Sequence, residues 1–503
     1  MVEQTVERTT RVGVRPPKSS GNGPAISEPK AFRLDLFKAI PGLKWLTKLR
    51  SFQFLLMMPN LVVFYIIIMA GFIGTPVGNK NIAIVFIWIL WWFVLIGLLV
   101  PFGSRVWCAM CPMPFFGDWF QRRALIKVRT GKAAGGLKNK MFGQHRKWPK
   151  ALSNIWLQNF GFLAMCTFSV QLVTRPIVTA AVLGGITVIA TLLAMVYRQR
   201  TFCTYICPVS GFLSLYSMTS VVELRSADSD VCLKCKTKSC RTGNEDGWGC
   251  PWFIYMGKLD RNNYCGLCME CVKSCPNDNI ALNLRPFASD VKIKGYDEAW
   301  KGFIMLALAM AYSVILLGPN GQIKDWANAT ETGYWAGFGI YSLILWGSAL
   351  VVLPALFFGF TWLARRLAAG VVPMKQVFLS YAYLLVPLGL LAWIAFSVPL
   401  IFVNGAYILP VLSDPFGWGW DLFGTAQVAW SPVWPEYLVF AQIALLMYGL
   451  YVALRKAYAI GLTLFGSNIA ATRGLVPMGV FSLAITLAFI SFFAGYRVKG
   501  SRI

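Results

Sequence analysis

The stretch C-G-L-C-M-E-C-V-K-S-C-P, residues 265–276, sets four cysteines at the spacing Cys265-x2-Cys268-x2-Cys271-x3-Cys275, followed by Pro276. At that spacing one turn of backbone wraps a cube of iron and sulfide, and its amides turn toward the sulfurs. In two-cluster proteins of this type the fourth cysteine of each run serves the other cluster. A looser run lies just upstream, Cys232-x2-Cys235-x4-Cys240-x9-Cys250, and it too ends in Cys-Pro, at Pro251. The pairing predicts one [4Fe–4S] cluster on Cys232, Cys235, Cys240 and Cys275 and a second on Cys265, Cys268, Cys271 and Cys250. Two four-cysteine zinc sites compete with this reading, because zinc also takes Cys-x2-Cys pairs. Structural disulfides are disfavoured in a reducing cytosol.

The chain around this run is greasy. Of 503 residues, 57% are hydrophobic and 14% charged, against about 45–50% and about 25% in soluble proteins. Apolar stretches near 52–74, 82–102, 152–172, 177–197, 301–318, 335–360, 377–403, 436–454 and 477–495 each have the length to cross a bilayer. With the N-terminus in the cytoplasm and strict alternation, 41 of the 47 Lys and Arg fall on the inner side. The net charge of +26 therefore reports orientation beside anionic lipid, not a nucleic-acid partner. Nine spans leave Arg497, Lys499 and Arg502 outside, against the trend, and 376–412 is long and broken by proline.

The expected fold is an all-α polytopic membrane protein of about nine transmembrane helices, with an inserted small α+β two-cluster ferredoxin domain of bacterial type. The expected domains are a disordered cytoplasmic tail (1–31), an interfacial amphipathic helix broken near Pro41-Gly42 (32–50), a duplicated transmembrane hairpin unit (51–226), the ferredoxin domain (227–290) and C-terminal spans (291–503). Residues 1–31 lack the apolar core of a cleavable signal peptide. The expected location is a bacterial-type inner membrane.

The duplication is read from two further motifs. SRVWCAMCP (104–112) and QRTFCTYICP (199–208) both run Arg, any residue, aromatic, Cys, two or three residues, Cys-Pro. Each follows the second span of a hairpin, so Cys108, Cys111, Cys203 and Cys207 share one membrane depth on the ferredoxin side. A proline after cysteine suits the first helical position, and a helix N-terminus beside arginine favours thiolate. These four form a candidate metal or redox site: a further metal or cluster, redox-active thiols, or structural residues.

One histidine, His145, stands in the whole chain. Bis-histidine haem, HExxH zinc, a Rieske centre and a histidine-rich copper centre are excluded within one chain. His145 lies in a basic loop and is read as solvated. Cys166 is read as a packing residue. Asn60, Gln158 and Asn159 are read as interhelical hydrogen bonders or a polar pathway. No buried charge pair is evident in the spans, which argues against a transporter. The tryptophan-rich segment 404–437, without Lys or Arg, is read as an interface belt or as a quinone or partner surface.

Twin membrane-edge Cys-Pro motifs followed by a two-cluster insert resemble the NapH/NosR/CcoG-type membrane polyferredoxins over about 50–290. The resemblance implies [4Fe–4S] binding at the eight cysteines, a redox role for the other four, and electron delivery to or from a membrane quinone or partner redox subunits. It departs from the family at Cys108 and Cys111, separated by two residues where the family usually has three, and it lacks the N-terminal flavin domain of a NosR. The expected role is an electron-transfer component. The alternative is an accessory for copper reduction or cofactor assembly at the membrane-edge thiols.

Overall fold

Long apolar helices occupy most of the chain in the computed structural model, which describes residues 32–123, 130–133, 136–139, 142–317 and 321–494. Among these, eight helices are long and apolar enough to cross a membrane: Phe52–Ile73, Ile82–Gly103, Pro176–Val196, Tyr296–Leu316, Trp335–Leu367, Met374–Ser413, Pro435–Phe465 and Asn468–Ala494. By length and composition the protein is multi-pass. The outer helices show large apolar side chains such as Leu343, Leu356 and Phe440 on their surfaces, the face a hydrocarbon solvent accepts. The Leu385–Asn404 segment is the hub, with Trp393, Ala395 and Leu390 fully enclosed.

The expected span at 152–172 is not one helix. Trp156–Thr167 ends at Phe168, and Ser169–Thr174 restarts. The polar side chains here are spent on neighbouring elements rather than on a single straight rod. Gln158 donates to the Cys203 and Thr204 carbonyls, Asn159 to that of Asp297, and Gln171 to that of Ala327. Gln158 and Asn159 are therefore interhelical hydrogen bonders. Asn60 instead bonds back to Leu56 of its own helix. The stretch from 374 to 413 runs as helical pieces through Pro399, with short 3-10 turns at Ala382–Leu384 and Gly405–Tyr407.

Residues 32–50 break at Gly42, whose φ is +81°, as the Pro41-Gly42 pair predicts. The segment also docks on the cysteine-rich domain. Leu34–Asp35 pairs antiparallel with Ile280–Leu284, which pairs with Val222–Ser226, making a three-stranded sheet. Lys44 and Lys48 reach Asp278 at 2.7 and 2.8 Å, and Arg33 reaches Glu223 at 2.8 Å. Ile40, Trp45 and Leu46 stay exposed. The sheet starts at Val222, ahead of the expected boundary at 227. The expected disorder of 1–31 and the basic residues Arg497, Lys499 and Arg502 lie outside the described residues.

Just ahead of the expected span at 301–318, the helix Tyr296–Leu316 carries a buried carboxylate paired with a group outside the spans. Glu298 takes both guanidinium nitrogens of buried Arg261, each at 2.7 Å. This pair ties the cysteine-rich domain to the helix. One turn on, Lys301 is fully enclosed and its ammonium has no hydrogen-bond partner.

Candidate metal centres

Short loops and single helical turns present the cysteines of residues 232–275. Lys238, Leu267, Met269 and Asp278 all hold positive φ between 48° and 62°. Non-glycine residues reach that region only when the surroundings require it. Leu267 and Met269 flank Cys268, so the tight run does bend around its sulfurs. All eight cysteines here are unpaired, as are the chain's other five.

They fall into two groups. Cys240 faces Cys275, Cys232 and Cys235, and Cys232 faces Cys275 and Cys235. Cys250 faces Cys268 and Cys265, and Cys271 faces Cys265, Cys268 and Cys250 and, across the groups, Cys240. Each run thus lends its last cysteine to the other run's group. Cys250, Cys265, Cys268 and Cys271 line one small cavity. Burial, and after it Glu270, push the Cys268 thiol up to about 12. Donors aim at sulfur in the first group: Asn279 Nδ2 lies 3.4 Å from Cys232 Sγ and Asn279 N 3.3 Å from Cys275 Sγ.

Cys250, Cys265, Cys268 and Cys271 enclose a small cavity, and an all-cysteine donor set suits a sulfur-ligated iron group.

The membrane-edge set also comes together. Cys203 faces Cys207, Cys111 and Cys108, and Cys111 faces Cys207 and Cys108. The two motifs fold alike at first: Cys108 lies within Val106–Met110 and Cys203 within Thr201–Tyr205. They differ at the second cysteine. Cys207 caps Pro208–Tyr216 and accepts from Ser210 N at 3.4 Å. Cys111 ends its helix instead, and the next helix starts only at Phe115. The expected N-cap holds for Cys207 alone. Burial pushes the free Cys207 thiol up to about 11, against the Ser210 amide and Arg105, which lower it. Burial likewise drives Cys111 and Cys203 upward. Buried thiols of this kind are poor free nucleophiles.

Two arginines frame the site. Arg105 reaches Cys108 Sγ at 3.6 Å, Ser210 Oγ at 2.5 Å and the Asn263 carbonyl. Arg200 donates to Asp118 Oδ2 at 3.0 and 2.7 Å and to the Cys108 carbonyl at 2.6 Å, and it faces Cys268. Both guanidinium groups lie over Trp252, at 5.9 and 5.4 Å. The far side of that ring covers Gly266, where an added Cβ would come within 2.1 Å. Trp252 lines the second cradle. The two cysteine sites are thus joined through one indole and one guanidinium. The paired arginines were visible in the aligned motifs; Trp252, beside the Cys-Pro of 250–251, was not singled out. Asp118, Ser210 and Lys301 carried no local signal.

His145 is only half-exposed, with its Nε2 buried and unpartnered, so it is less solvated than its basic loop implies. Cys166 packs in the helical core, as expected.

The cysteine groups and the helical frame suit a sulfur-ligated redox site in a multi-pass protein. The family described as 4Fe-4S binding domain matches residues 84–132 and 180–220. Those segments hold Cys108, Cys111, Cys203 and Cys207 rather than the eight cysteines of 232–275. Over 199 residues the chain is 24% identical to "Uncharacterized protein MJ0750" of Methanocaldococcus jannaschii, covering 38% of this chain and 76% of the relative. Over 136 residues it is 26% identical to "Putative electron transport protein YccM" of Escherichia coli, covering 26% of this chain and 34% of the relative. No solved structure matches. The domain match and the second relative support an iron–sulfur electron-transfer role.

Proposed function

We propose that this protein is a membrane-anchored electron carrier that works between a cytoplasmic donor and a membrane quinone or partner redox subunit. The supporting observation is the contact between its two cysteine regions: Arg200 binds the Cys108 carbonyl, faces Cys268 and packs on Trp252. In this reading Cys232, Cys235, Cys240 and Cys275 hold one [4Fe–4S] cluster, and Cys250, Cys265, Cys268 and Cys271 hold the second. When bound, such clusters supply one-electron transfer. The chain supplies burial, which excludes water, and donors at sulfur such as Asn279, which tune potential.

Cys108, Cys111, Cys203 and Cys207 form a third sulfur site. Arg105 and Arg200 bring two cations to its walls, a setting that favours an anionic thiolate-bound group over four neutral thiols. The 4Fe-4S family match over these segments supports the same assignment. The basic bias of the loops supports a cytoplasmic side for this face and the N-terminus, in a bacterial-type inner membrane. The NapH/NosR/CcoG-type likeness agrees, resting on the twin motifs.

The test is iron and acid-labile sulfide analysis of anaerobically purified protein, with potentiometric EPR. Two clusters require about eight irons per chain and three require about twelve. Cys108→Ser and Cys203→Ser should return the count to about eight. Zinc without iron, or no reducible EPR signal, overturns the carrier reading.

A further inference from the structure

The segment from Phe32 to Arg50 has two faces. Its inner face packs on the cysteine-rich domain. Phe37 is buried in one apolar core with Cys240, Cys265 and Cys271, and Leu36 and Leu43 pack against that core. Cys240 and Cys271 belong to different cysteine groups and face each other, so Phe37 closes over the place where the groups meet. Lys44 and Lys48 hold Asp278, and the next residue, Asn279, aims its donors at Cys232 and Cys275.

This inner face is held by small terms. The ladder with Ile280–Leu284 is two residues long. Each of the three ion pairs, from Arg33, Lys44 and Lys48, has a half-exposed partner, and such pairs contribute little. Phe37 is the one large apolar side chain of the segment that is buried.

The outer face is apolar and basic. Phe32, Ile40, Trp45 and Leu46 are exposed, Trp45 to 67%, and Lys38 and Arg50 are exposed beside them. The segment's one acid, Asp35, caps the Phe37 amide. A group of exposed apolar side chains marks a protein or membrane contact. Continuity decides between the two. The first membrane-length helix starts at Phe52, four residues after Lys48, a reach of at most about 14 Å. Aromatic and basic side chains at that distance from a span suit the headgroup layer of anionic lipid.

We propose that the outer face binds an anionic lipid surface and that this contact holds the segment closed over the meeting point of the two cysteine groups. The lipid contact goes beyond electron carriage; only the iron readout below rests on the carrier reading.

The full-length protein is placed in nanodiscs of phosphatidylglycerol or of phosphatidylcholine, and hydrogen exchange of residues 32–48 is followed. Exchange should be slower in phosphatidylglycerol. Lys38→Ala should remove about fivefold of that protection, the effect of one basic residue near a charged surface, and Trp45→Ser about tenfold. Leu233→Ser, equally exposed on the same domain but off the segment, should remove none. Phe37→Ala should open the segment in both lipids. Iron release to a bathophenanthroline chelator should follow exchange: slow in phosphatidylglycerol, faster in phosphatidylcholine, fastest in Phe37→Ala. Equal exchange in the two lipids, protection that survives both Lys38→Ala and Trp45→Ser, or a Leu233→Ser effect as large as that of Trp45→Ser would overturn the lipid contact. Lipid-dependent exchange with lipid-independent iron release would overturn the seal. Protein without iron refutes the carrier reading alone, because exchange on the same preparation still decides the lipid contact.

Discussion

Gly266→Ala tests the joint between the two cysteine regions. A Cβ at Gly266 would lie 2.1, 2.5 and 2.6 Å from three carbons of the Trp252 ring. Real Cβ atoms do not approach that closely, and an indole cannot flex away at its tip, so the whole ring must turn. Overpacking of this kind costs about 1–3 kcal/mol. Turning the ring also removes it from Arg105 and Arg200, two cation–π contacts worth about 0.5–2 kcal/mol each. The sum is about 2–7 kcal/mol. The assay is thermal unfolding in nanodiscs alongside iron content and EPR. The variant should melt lower and lose signal from the second cluster before the first. Gly184→Ala is the control: its Cβ meets nothing within 4 Å, and it should match or slightly exceed the native protein. Trp252→Leu should recover part of the loss in the Gly266→Ala background. A Gly266→Ala protein with native melting and native EPR would refute the reasoning.

Three further outcomes are expected. Asp118→Asn removes the carboxylate from buried Arg200 and should cost about 3–5 kcal/mol near neutral pH by thermal unfolding. Burial raises the Asp118 carboxyl, but Arg200 and Arg122 outweigh it and hold it below the usual range. Its contribution is therefore full above the unfolded value of about 3.9 and lost as pH falls through the lower folded value; the gap between variant and native protein should be flat from pH 5 to 8 and close only in acid. Lys301→Met removes an unpartnered buried ammonium and should stabilise the metal-free protein by about 1–3 kcal/mol, while lowering iron retention at the membrane-edge site; a lower melting temperature in the metal-free form would contradict this. Lys44→Ala should change stability by less than about 1 kcal/mol, because its partner Asp278 is half-exposed, and chemical denaturation would show it.

What was legible in the sequence follows the length scale of each signal. Both runs end in Cys-Pro, which made a crossed pairing of the two runs the expected reading. The spans were readable as long apolar runs, except 152–172. There Gln158 and Asn159 were legible as interhelical hydrogen bonders, but the break at Phe168 was not. The amphipathic look of 32–50 pointed toward lipid. It could not reveal that Leu34 pairs with Leu284, because strand pairing over that separation leaves no local trace. The helix N-terminus at Cys207 was visible in sequence, whereas the burial that raises its free thiol is a property of the packed site.

The pairing of Leu34 with Leu284 also sets an order of assembly. The two residues are 250 positions apart, about 12–50 s of synthesis at typical rates of about 5–20 residues per second. Throughout that interval the membrane helices from Phe52 to Val196 emerge while the N-terminal segment waits, unpaired. Only when Ile280–Leu284 appears does the sheet close, and by then all eight cluster cysteines have been made. The Leu34–Asp35 strand can therefore join the sheet only after the whole cysteine-rich segment has been made.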